Sequence, residues 1–102
     1  MIIASRKDEE NLREGGKRLA RILALVKTHV HPGATTGELD TYAEKLIREA
    51  GGIPAFKNYR THGTKMPYPA SLCTSVNDEV VHGIPGKRVL GEGDIIGLDI
   101  GM

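Results

Sequence analysis

A chain of 102 residues, 39% hydrophobic and 26% charged, has the make-up of one globular unit and not of a disordered segment. Fourteen Lys and Arg against 13 Asp and Glu leave a formal charge of +1, which gives no electrostatic case for nucleic acid or an anionic membrane as partner. A single cysteine, Cys73, excludes an internal disulfide framework and a CxxC zinc or redox site.

The opening Met1-Ile2-Ile3-Ala4 lacks the charged start, apolar stretch and cleavage site of a signal peptide. The longest aliphatic run, Ile22 to Val26, is too short to span a bilayer, so the cytoplasm is the expected compartment. From Lys7 to about Val30, Leu12, Leu19, Ile22, Leu23, Val26 and Val30 recur at helical spacing and predict a first amphipathic helix. Gly15 and Gly16 interrupt it at about 1 kcal/mol each relative to Ala, a cost that close packing against a neighbour would explain. His31-Pro32-Gly33 stops the helix.

Thr35-Thr36-Gly37-Glu38 matches a capping box with Thr35 as the cap. The helix it opens carries Leu39, Tyr42, Ala43, Leu46, Ile47 and Ala50 on one face and ends at Gly51-Gly52. Ile53 to Pro69, with three prolines, reads as loop. Leu72 to Val76 and Val80-Val81 read as short strands around the turn-favouring Asn77-Asp78, and Asp94 to Ile100 as the best strand. No strand, turn or polar tail follows Ile100-Gly101-Met102, so an open apolar edge is expected there, as in a truncated chain or one completed by another polypeptide.

Strand alternation puts Ile96, Leu98 and Ile100 on one face and Ile95, Gly97 and Asp99 on the other. A carboxylate in so apolar a strand is costly to bury unless paired, hydrogen-bonded or metal-bound, and Gly97 beside it leaves room for an ion or a substrate. The alternative is that Asp99 faces solvent. His82, ahead of the rigid Gly83-Ile84-Pro85 turn, can present its imidazole into a cleft or serve a structural role. Cys73 carries no mark of an activated thiol and reads more simply as a small buried apolar residue. Gly91-Glu92-Gly93 precedes a strand, which rules out a dinucleotide fingerprint, and no HExxH motif is present.

The run Tyr68-Pro69-Ala70-Ser71-Leu72-Cys73-Thr74-Ser75-Val76-Asn77-Asp78-Glu79-Val80-Val81-His82-Gly83-Ile84-Pro85 resembles the signature stretch of type I methionine aminopeptidases, of peptidase family M24. Leu90 to Asp99 stands at that family's spacing from the histidine, and Gly33 to Asp40 is similar to its amino-terminal region. The resemblance covers nearly the whole chain. It implies an α/β (α+β) fold over residues 1–102, the amino-terminal half of a pita-bread domain with two helices packed on an antiparallel sheet. It also implies removal of the initiator methionine from nascent proteins with a small second residue, by hydroxide activated on two divalent metal ions (cobalt, manganese, iron or zinc). By position, His82 matches the histidine that contacts substrate and stabilises the tetrahedral intermediate, and Asp99 the first aspartate ligand. Tyr59, Tyr68 and Cys73 match positions lining the pocket for the methionine side chain. The implied partner is the amino-terminal methionine of nascent polypeptides, without nucleic acid or membrane, and the implied whole enzyme is a monomer.

Two departures stand out. Thr61 to Pro67 is longer than the common bacterial pattern. Of the family's five metal ligands only Asp99 is present, so this chain alone is expected to be inactive and to bind metal poorly. The rival reading is a non-catalytic peptide- or protein-binding module on the same fold.

Overall fold

The computed structural model describes residues 2–60, 62–63 and 65–102; Met1, and Thr61 and Thr64 of the long loop, lie outside the described residues. Helix α1 spans Arg6–Thr28 and helix α2 Thr36–Glu49. Strands β1, Leu72–Val76, and β2, Ile96–Ile100, pair antiparallel. Two helices on a two-stranded sheet are the expected α+β arrangement.

Helix α1 begins where the Ser5 hydroxyl accepts from the Asp8 amide at 3.1 Å, with Asp8 and Glu9 favourably placed in the first turn. It stops two residues before the predicted Val30. The amides of His29 and Val30 already bond the carbonyls of Val26 and Lys27, three residues back, which tightens the last turn and ends the α-helix ahead of Pro32. The expectation of close packing at Gly15 and Gly16 fails, because a Cβ at either would meet nothing within 4 Å. The first turns of α1, Leu12 included, lie exposed.

The capping box of α2 forms as predicted. The Glu38 amide donates to the Thr35 hydroxyl, and the Thr35 amide to the Glu38 carboxylate, both at 3.1 Å. Gly51, at φ +82, then turns the chain out of the helix. The Arg18 guanidinium of α1 donates to the Ala50 carbonyl at 3.1 Å, placing a cation at the negative end of α2. Leu39, Ala43 and Ile47 of α2 are buried with Ile22 and Val26 of α1 against Leu72, Val76 and Ile100, so one face of the sheet belongs to the core.

Strand β1 has β2 on one edge only, yet its outward amides are not left bare. Leu72 donates to Asp40 Oδ1 at 2.9 Å, Thr74 to the Gly83 carbonyl at 2.7 Å, and Val76 to Glu79 Oε1 at 3.1 Å. Asp40 Oδ1 also accepts from the Ser71 amide at 2.8 Å, tying the start of β1 to α2. One turn further along α2, Glu44 accepts from the Ser71 hydroxyl at 3.1 Å and from the Lys57 ammonium at 2.6 Å.

This edge explains why Val80-Val81 is not the strand its composition predicts. Asn77 leaves β1 at φ 53, a conformation Asn tolerates, and the Glu79 amide closes the turn onto the Val76 carbonyl. The edge that Val80 and Val81 would need is taken by Glu79 and Gly83, and both valines stay exposed. Strand β2 is likewise two residues shorter than predicted. Asn77 Nδ2 donates to Asp94 at 3.0 Å, and the Ile95 amide donates to Asn77 Oδ1 at 3.0 Å, so residues 94–95 are bonded to the Asn77 side chain and lie outside the regular strand. Hydrogen bonds from Asn77 and the Gly91 amide hold the Asp94 carboxyl below its usual range.

Replacing Asp40 by Ala strands two buried amides and is expected to cost about 2–4 kcal/mol in chemical denaturation, with Asp40→Asn, which keeps an acceptor, costing less. Equal stability of Asp40→Ala and the parent would contradict the anchor. Burial outweighs the amide bonds at Asp40 and pushes its carboxyl up, whereas Lys57 holds Glu44 below its ordinary 4.5. The Glu44 contribution is therefore present above that ordinary value and lost as pH falls through the depressed one. Unfolding followed between about pH 5 and pH 3 is expected to show a shallower loss of stability in Glu44→Gln than in the parent.

Candidate functional site

The other face of the sheet is open. In register, Cys73 faces Asp99 and Ser75 faces Gly97, so these four share the face that α2 does not cover. Alternation along β2 falls as predicted, with Ile100 buried and Asp99 exposed. The space beside Gly97 is bounded by Ser75, whose carbonyl oxygen and Cβ stand 3.7 and 3.9 Å from where a Gly97 Cβ would be.

Over this face lies a cavity of about 580 Å³, inside the ~300–1,000 Å³ range of small-ligand sites. Tyr59, Tyr68, Cys73, His82 and Asp99, dispersed over 41 positions of the sequence, all line it. Phe56, Met66, Pro67, Pro69 and Ile84 complete a mostly apolar wall that residue-by-residue reading missed. A discernible signal did exist: apolar residues placed in a polar, proline-rich loop.

Each wall has a local cause. The Asn58 amide donates to the Tyr68 carbonyl and the Tyr68 amide to the Tyr59 carbonyl, both at 2.8 Å, so the long loop is closed at its base. Met66 and Pro67 of its returning limb reach the cavity lining. Phe56 meets Tyr68 edge-on, with ring centroids 6.4 Å apart and planes at 88°. The Tyr68 hydroxyl lies 3.0 Å from the Leu72 carbonyl and 3.3 Å from that of Gly83, so it is spent on holding backbone and leaves the ring to the cavity. Burial first, then its contact with Cys73, push this phenol well above its ordinary 10.0 and keep it a neutral donor.

His82 is presented by a turn fixed at both ends. It has φ 58, a left-handed conformation unusual for a residue with a side chain. Gly83 follows, and its backbone lies so close to Thr74 that a Cβ there would overlap the Thr74 carbonyl. At the far end Gly86 is held by α2: its amide donates to the Thr36 hydroxyl at 2.9 Å, and its carbonyl accepts from the Gly37 amide at 2.8 Å. His82 thus lines the cavity from a firmly held turn, one of the two placements that its sequence context leaves open. Cys73 is 5% exposed and fits the small apolar residue expected of it.

Among the described residues no three His, Cys, Asp or Glu side chains converge as a metal site. Asp99 is one oxygen donor and His82 one imidazole, short of what two divalent ions require. The described residues therefore do not by themselves fit a metal pair. No helix among them is long and apolar enough to cross a membrane.

The profile of metallopeptidase family M24 matches residues 10–102. Methionine aminopeptidase 1 of Bacillus subtilis is 48% identical over 90 residues, which cover 88% of this chain and 34% of that protein. The methionine aminopeptidase of Clostridium acetobutylicum is 44% identical over 102 residues, 99% of this chain and 38% of its own length. The crystal structure of methionine aminopeptidase from Rickettsia prowazekii superposes with a TM-score of 0.88 at 36% identity, covering 98% of this chain and 38% of that one. This chain thus spans little more than a third of the relatives it matches, and its architecture is that of the corresponding part of their pita-bread fold.

Gly83→Ala is expected to cost about 1–3 kcal/mol by thermal unfolding, because its methyl group must displace β1 backbone, whereas Gly86→Ala has open space for the methyl. Equal stability of the two variants would contradict the close approach of the turn to β1.

Proposed function

Because the chain belongs to metallopeptidase family M24, we propose that it is the amino-terminal share of a type I methionine aminopeptidase, one that removes the initiator methionine from nascent proteins with a small second residue. The observation that carries this reading is the convergence of Tyr68, Cys73, His82 and Asp99 on one largely apolar cavity. A flexible thioether is suited by such walls, and the Cys73 and Met66 sulfurs and the aromatic rings add polarizable contacts. In this reading Tyr59, Tyr68 and Cys73 bind the methionine side chain. His82 donates a hydrogen bond to the substrate carbonyl oxygen as negative charge develops there.

Family membership brings divalent metal ions, and cobalt, manganese, iron and zinc all suit a mixed carboxylate and imidazole site. Asp99 would be one ligand, with the other donors supplied by sequence beyond this chain. The activity, like a monomeric state and a cytoplasmic location, is a property of the whole protein, of which residues 1–102 form part of one catalytic domain. In this reading the isolated chain supplies a side-chain pocket and a substrate contact, and its described residues form no metal centre of their own.

Release of methionine from Met-Gly-Met with added manganese or cobalt tests the proposal, comparing this chain with the protein extended by its downstream coding sequence. Activity is expected only in the extended protein. There His82→Asn, which suits the left-handed turn, lowers kcat by on the order of 100- to 1,000-fold. Asp99→Asn abolishes turnover and lowers bound metal as read by elemental analysis. Strong release by the 102-residue chain would overturn the division of labour. Silence of both would favour a non-catalytic peptide-binding module.

A further inference from the structure

We infer that Ser75 is a positioning residue for His82, acting through a hydrogen bond to the next peptide unit; this rests on the reading of His82 as a substrate contact. Ser75 lies on the cavity face of β1, two residues from Cys73, but does not line the cavity. Its hydroxyl oxygen accepts from the Gly83 amide at 3.1 Å. That amide belongs to the peptide bond joining His82 to Gly83, so its direction is set together with the ψ angle of His82. The carbonyl of Gly83 is fixed from the same side, accepting from the Thr74 amide at 2.7 Å and the Tyr68 hydroxyl at 3.3 Å.

A histidine at φ 58 needs its neighbours to hold it there, because a residue with a Cβ pays about 1–2 kcal/mol in the left-handed region. Gly83 is buried, so its N–H needs a protein partner or is left unsatisfied. The Ser75 hydroxyl is that partner. Without it the peptide is free to rotate, His82 can relax toward negative φ, and its ring leaves the cavity wall. A serine placed opposite Gly97 suits the task, since no bulky cross-strand neighbour competes for the space over which the turn crosses.

The test uses the full-length protein with Ser75→Ala, Ser75→Thr and His82→Ala, singly and combined. Ser75→Ala is expected to lower kcat/KM by on the order of 10- to 100-fold. Ser75→Thr, which keeps the hydroxyl, restores it. In the His82→Ala background Ser75→Ala is expected to cost nothing more, because both changes remove one function. A merely structural serine would cost the same in either background, and that result, or unchanged kinetics in Ser75→Ala, overturns the inference. Ser75→Cys, isosteric with a weaker acceptor, takes the place of Ser75→Ala if the latter does not fold. The His82 ring resonances, followed by NMR in the same variants, give a reading that needs no turnover. They are expected to shift in Ser75→Ala and not in Ser75→Thr. Unshifted resonances in Ser75→Ala overturn the inference even if the parent protein releases no methionine, an outcome that would itself count only against the proposed function.

Discussion

The outer edge of β1 is the constraint on which the site depends. A two-stranded sheet is marginal alone, and an edge of bare amides invites pairing with another chain. Here three different groups close that edge: the Asp40 carboxylate from α2, the Gly83 carbonyl from the His82 turn, and the Glu79 carboxylate from the turn after β1. None is a strand. The edge therefore does two jobs at once, satisfying β1 and clamping the segment that carries His82 to the strand that carries Cys73.

From that clamp the cavity follows. Asp40 and Glu44 register β1 on α2, which buries Leu72 and Val76 and turns Cys73 and Ser75 outward. Pairing with β2 then brings Asp99 opposite Cys73, while the Tyr68 hydroxyl ties the loop wall to Leu72 and Gly83. Side chains from a loop, a turn and two strands thus meet on one face because the strand ladder and the Asp40, Glu44 and Tyr68 side chains hold the backbone that carries them. Such a site is well suited to holding a flexible apolar side chain, since its walls are set before a ligand arrives.

Much of this is legible in the chain itself. The capping box at Thr35 and Glu38, the stop at Gly51 and the two faces of β2 are local patterns, and each appears in the structure at its predicted residues. The grouping of Tyr59, Tyr68, Cys73, His82 and Asp99 rested on resemblance, since nothing in their spacing brings a loop, a turn and two strands together. What escaped is what depends on partners distant in sequence. Val80-Val81 has strand composition, but whether an edge is vacant is decided by Glu79 and Gly83. Asp94 and Ile95 continue an apolar strand pattern, but the side chain of Asn77, seventeen residues before Asp94, bonds both and keeps them outside the regular strand. The glycines of α1 suggested close contact and have none: a Cβ at either would meet no described atom within 4 Å, although Leu19 and Ile22 further along the helix pack into the core.

The most direct test of the central claim, that this part of the chain already builds a pocket for a methionine side chain, is an NMR titration of the full-length protein with methionine amide in the absence of added metal. Saturable shifts centred on the amides of Tyr68, Cys73, His82 and Asp99, with smaller changes from norleucine amide and none from glycine amide, are predicted. Shifts centred elsewhere, or equal shifts with glycine amide, would contradict it.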